Sequence, residues 1–70
     1  MLTETMAKRS VIGKMEKMGY EIEVMFSELL DEGSAGVLCE VHIRYRDEWK
    51  DVCTATWCVW EQGDGLYGLS

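Results

Sequence analysis

Seventy residues with a net charge of −6, no proline and no apolar run near the ~20 residues of a membrane span describe one small domain. Three cysteines, an odd number, exclude a complete disulfide framework and fit reduced thiols, and no apolar h-region opens the chain, so a cytoplasmic location is expected. The charge is lopsided: residues 1–19 hold four cations against Glu4 and Glu16, while residues 20–70 hold three against eleven acids, a balance that speaks against a nucleic-acid-binding surface.

The spacing predicts a helix over residues 3–18. Thr3 or Thr5 supplies an N-cap hydroxyl, and Glu4 suits the positive end of the helix dipole. Ala7, Val11, Met15 and Met18 recur every three or four residues, with Ile12 widening the stripe. Gly19 is placed to take the left-handed position after the last turn, with Tyr20 folding back on Met15.

A first strand is expected over residues 20–30, with Tyr20, Ile22, Val24 and Phe26 on one face. Glu28 breaks this alternation and points inward, unless a bulge turns it out or the helix lysines pair with it. A polar loop follows at residues 31–36. Residues 36–46 then alternate strictly, with Val37, Cys39, Val41, Ile43 and Tyr45 against Leu38, Glu40, His42, Arg44 and Arg46. That period of two marks a central strand with one buried face. A tight turn at 46–49 leads to a third strand over 49–60, and the glycine-bearing residues 61–70 form a tail or flap.

The expected register pairs Leu30 with Val37, Phe26 with Val41, Val24 with Ile43 and Ile22 with Tyr45, which also sets Glu23 against Arg44. Pairing Tyr45 with Lys50 brings Arg44 beside Asp51 and turns Val52, Cys58 and Trp60 inward. Cys39 and Cys58 then share a face only as diagonal neighbours, too far apart for a disulfide. The predicted fold is α+β: an N-terminal helix packed on a three-stranded antiparallel meander, in two layers. The element order is similar in topology to the first part of a double-stranded-RNA-binding domain. The lysine-rich final helix of such domains has no counterpart in residues 61–70, so RNA binding does not carry over.

Two surface groups stand out as candidate partner-binding sites. The acidic group is Glu21, Glu23, Glu28, Asp31, Glu32 and Glu40, in a stretch without Lys or Arg between residues 18 and 43. The apolar group is Leu29, Leu38 and Trp57, expected side by side on the outer face, with Trp49 at the far end. His42 is the one histidine and is expected to face Cys53, yet the nearby acids raise a thiol's pKa and no oxyanion site accompanies them. C-x₄-C within one strand does not converge on zinc. The reading is therefore no catalytic residue, no metal and no cofactor. Small size and acidity make the chain resemble in type the phage-encoded proteins that block host or CRISPR machinery. The expected function is an inhibitor that occludes a basic, nucleic-acid-binding site on a protein or ribonucleoprotein complex. The alternative is a homo-oligomeric adaptor, a homodimer in the simplest case.

Overall fold

The computed structural model describes residues 2–31, 36–63 and 66–70, with the backbone alone at 62, 63, 66 and 67. Helix α1 runs Glu4–Lys17. Thr3 is its cap: extended, with Oγ1 accepting the Met6 N–H at 3.2 Å. Leu2, one residue earlier, is buried in the same cluster as Ala7, a staple that fixes how the chain enters the helix. Ala7, Val11 and Met15 form the buried stripe that the spacing predicts. Met18 does not join them: it is the cap residue just beyond the last helical residue, and it stays 54% exposed. Gly19 takes φ +89°, the Gly19 N–H reaches Glu16 O at 3.0 Å, and the Tyr20 N–H reaches Met15 O at 3.1 Å. These are the two bonds of a Schellman ending.

The sheet holds four antiparallel strands in sequential order: β1 Ile22–Asp31, β2 Val37–Arg46, β3 Val52–Gly63 and β4 Leu66–Leu69. The two-layer α+β arrangement stands, with a fourth strand drawn from the expected tail. Residues 66–69 extend the sheet edge-on rather than crossing its outer face, and Ser70 exchanges both backbone hydrogen bonds with Cys58 at 2.8 and 3.0 Å.

The first hairpin follows the expected register through Ile22↔Tyr45, Glu23↔Arg44 and Val24↔Ile43. A bulge at Met25 then shifts the pairing by one, to Phe26↔His42, Ser27↔Val41 and Leu30↔Leu38. The extra residue inverts the faces beyond it. Phe26 leaves the core, Glu28 turns outward, and Ser27 turns toward α1, where its hydroxyl donates to Glu4 Oε1 at 2.7 Å. The bulge thus spares the sheet a buried carboxylate.

The second hairpin corrects the expected register. Tyr45 pairs with Cys53 rather than Lys50, and Arg44 with Thr54 rather than Asp51. The cause is the connection, which is five residues, Asp47 to Asp51, instead of a tight turn. Asp47 Oδ1 accepts the N–H groups of Trp49 and Asp51, each at 2.9 Å, and Lys50 takes φ +66°. A displacement by an odd number of residues inverts every side chain of the strand. Ala55, Trp57 and Val59 therefore face α1, while Val52, Thr54, Thr56, Cys58 and Trp60 face away. The core is Leu2, Ala7, Val11, Met15, Cys39, Val41, Ile43 and Val59.

Candidate functional site: the open sheet face

Helix α1 covers one face of the sheet, and the pairing arranges the other into cross-strand rows. Leu30, Leu38 and Trp60 make the first row, all half-buried. Glu28, Glu40 and Cys58 make the next, with the two glutamates directly opposite each other. Phe26, His42 and Thr56 follow: the Phe26 and His42 rings stack at 4.0 Å and 16°, and His42 Nδ1 lies 3.0 Å from Thr56 Oγ1. Glu23, Arg44 and Thr54 complete the face, with Arg44 Nη2 donating to Glu23 Oε2 at 2.5 Å.

The charges differ sharply along this face. Glu23 is neutralised by Arg44. The Glu28 and Glu40 carboxylates have no hydrogen-bond or ion-pair partner among the described residues. Like charges directly opposite in an antiparallel pair repel. The site is thus a repelling carboxylate pair between an apolar row and an aromatic row.

Each predicted site residue except Glu32 has a definite place. Glu28 and Glu40 come together. Glu23 belongs to the ion pair, Glu21 precedes β1 and lines a shallow cleft with Arg46 and Val52, and Asp31 pairs with Val37 at the strand end. Glu32 lies outside the described residues. The expected Leu29, Leu38 and Trp57 cluster is not assembled. Leu29 pairs with Cys39 on the helix side, 47% exposed, and Trp57 packs against the core from that same side. Only Leu38 faces outward, where Leu30 and Trp60 take the places given to the other two. The signal that finds Trp60 is Asp47 at the head of a turn whose backbone its carboxylate ties together, since that sets the parity of β3. Trp49 is apart from this face, on the Asp47–Asp51 turn.

Arg44 is not a hub between Glu23 and Asp51, because Asp51 belongs to the turn. His42 does not face Cys53 either. Cys53 pairs with Tyr45 on the opposite face, its sulfur 3.7 Å from Asp47 Oδ2. Burial first, then the charge of Asp47, pushes the Cys53 thiol above its ordinary value. Burial, then Glu4, does the same to Cys39. Cys39 and Cys58 lie on opposite faces, and all three thiols are free. Among the described residues no three His, Cys, Asp or Glu side chains converge as metal ligands, and no helix is long and apolar enough to cross a membrane.

The fold and the face define a class: a small two-layer α+β domain with one sheet face open and centred on unneutralised acids. No protein family, characterised relative or solved structure matches the chain.

Proposed function

We propose that this chain is a protein-binding inhibitor whose open sheet face occupies a basic, nucleic-acid-binding site on a larger complex, as the small phage-encoded blockers of CRISPR machinery do. The observation that carries the reading is the Glu28–Glu40 pair. Side by side and unneutralised, the two carboxylates form a preset receptor for an arginine or lysine of the partner. Leu30, Leu38 and Trp60 beside them supply the apolar anchor that charge alone does not. The net charge of −6 steers such a face toward a positive groove and makes the association weaken with salt.

The test is affinity capture from bacterial lysate rich in CRISPR effectors and polymerases, with the wild type beside a Glu28→Lys, Glu40→Lys variant. The expected result is a complex that the wild type captures without its nucleic acid, that salt releases, and that the variant loses. A complex held equally by both proteins, or captured with its nucleic acid still bound, overturns the reading. A homo-oligomeric adaptor is the second reading, favoured by large apolar side chains exposed away from this face, Trp49 and Met18 foremost.

A further inference from the structure

Two features at one end of the molecule have no counterpart within the chain. The first is Trp49, 74% exposed, the most exposed large apolar side chain among the described residues. The turn that carries it is firmly held. Asp47 Oδ1 takes the Trp49 and Asp51 N–H groups at 2.9 Å, the Lys50 N–H donates to Asp47 O at 3.0 Å, and Arg46 Nη1 donates to Lys50 O at 2.9 Å. Lys50 is the one described non-glycine residue with positive φ, a strained backbone state that its surroundings impose. The indole is presented rather than loosely tethered.

The second feature is a groove. Helix α1 lies mainly over β1 and β2, which leaves the inner side of β3 open beside the last helical turn. The groove there is about 310 Å³, lined chiefly by Met15, Met18, Tyr20, Tyr45, Ala55 and Trp57. Its size falls at the low end of the roughly 300–1,000 Å³ of ligand pockets, suited to one large side chain. Turn and groove share an end of the molecule, since Met18, Gly19 and Tyr20 line a second cleft together with Asp47, Glu48 and Lys50. Their charges are complementary. The turn holds Asp47, Glu48 and Asp51 against Lys50, a net negative charge, and the last helical turn beside the groove holds Lys14 and Lys17 against Glu16, a net positive one.

We infer that the chain forms a two-fold dimer in which the Trp49 indole of each copy enters the groove of the other, with Glu48 set beside Lys14 and Lys17 across the interface. A knob and a hole adjacent on one surface are what a self-complementary contact requires. Each indole removes about 150–250 Å² from water, so the dimer is concentration-dependent rather than obligate. Of the open-face residues Thr56 alone lines this groove, while Glu28, Glu40, Leu30, Leu38 and Trp60 do not, so the dimer stands or falls independently of the proposed inhibition.

Sedimentation equilibrium of the whole chain, from low to high micromolar concentration, tests this. The wild type is expected to reach twice its 8.0 kDa mass. Trp49→Ala and Met18→Glu, both at exposed positions, are each expected to weaken the dimer by at least about tenfold with unchanged circular dichroism. Mixing the two variants is expected to restore a heterodimer, because one keeps the groove and the other keeps the indole. A wild type that stays monomeric, a Trp49→Ala variant that dimerises like the wild type, or a mixture that yields no heterodimer overturns the proposal.

Discussion

Glu28 and Glu40 face each other on adjacent strands with no cation between them, so the sheet holds together in spite of this pair. Cross-strand pairs of charges contribute roughly 0.2–1 kcal/mol, favourable when opposite and unfavourable when alike. Glu40→Lys converts the second case to the first. Thermal melts are expected to show a more stable protein, by up to about 1 kcal/mol. A less stable Glu40→Lys protein would mean that the carboxylates have a stabilising role inside the fold. Arg44→Glu runs the opposite way, setting a second acid directly against Glu23. Both partners are well exposed and screened, so the loss expected is a few tenths of a kcal/mol. Cys39 adds a pH dependence. It is fully buried, and burial followed by the charge of Glu4 raises its thiol above the ordinary 9.0. The unfolded chain therefore gives up this proton first. Stability is intact below about pH 9 and falls from there toward the higher folded value. Tyr45, raised by burial from 10.0, adds to the fall at higher pH. Melting temperatures of wild type and Cys39→Val, compared from pH 8 upward, isolate the thiol: the valine variant is expected to lose stability less steeply. Parallel curves would show that Cys39 ionises equally in both states.

Among the elements, the Asp47–Asp51 turn has the widest consequences, because it decides which face of β3 is buried. Asp47→Ala removes the acceptor of two backbone N–H groups and is expected to cost about 1–2 kcal/mol. Lys50→Gly relieves a left-handed residue, and its melting temperature is expected to rise by an amount worth roughly 0.5–1 kcal/mol. A lowered melting temperature for Lys50→Gly would mean that the lysine side chain matters more than its backbone state. These same elements mark what the sequence makes legible. Helix α1 is readable end to end, since Thr3, the Ala7–Val11–Met15 stripe and Gly19 each act through neighbours within a turn of chain. The first three pairs of β1 and β2 are readable because Glu23 meets Arg44 in the register that buries Val24 and Ile43. The bulge at Met25 is legible only as an anomaly at Glu28, and the contact that accompanies it, Ser27 to Glu4, spans 23 residues of chain. A turn search that looks for glycine passes over Asp47, whose carboxylate does the work, and so misplaces Trp57 and Trp60. Strand β4 is the least visible, because it has only four residues, Gly68 offsets the strand preference of Tyr67, and the segment forms through pairing with β3.

At the scale of the whole molecule, one helix over one face of a four-stranded sheet leaves a core of eight among the described residues, two of them supplied by Leu2 and Ala7 at the helix start. Stabilities of roughly 0.05–0.15 kcal/mol per residue give a chain of this length about 3.5–10 kcal/mol in total. Ile43 sits at the centre of that core, 1% exposed, between Val24 on β1 and Ala55 on β3. Truncating a buried isoleucine to alanine costs about 2–5 kcal/mol, from the lost transfer free energy together with the cavity left behind. Among the described residues no second layer lies behind the sheet to share that loss, since the outer side of β2 faces away from the helix. Ile43→Ala is therefore expected to leave a substantial unfolded fraction at ordinary temperature. Ile43→Val, at about 0.5–1.5 kcal/mol, is expected to fold with a lowered denaturation midpoint. Urea titrations followed by circular dichroism distinguish the two. If the open face binds a partner as proposed, the same arithmetic applies to it. A partner that covers Leu30, Leu38 and Trp60 in the folded chain alone stabilises the fold, by an amount that grows with the logarithm of its free concentration once that exceeds Kd. The Ile43→Val protein is then expected to recover its lost melting temperature when the captured complex is added in excess. A variant that gains nothing from that complex would show that the contact is made elsewhere on the molecule or to the unfolded chain as well.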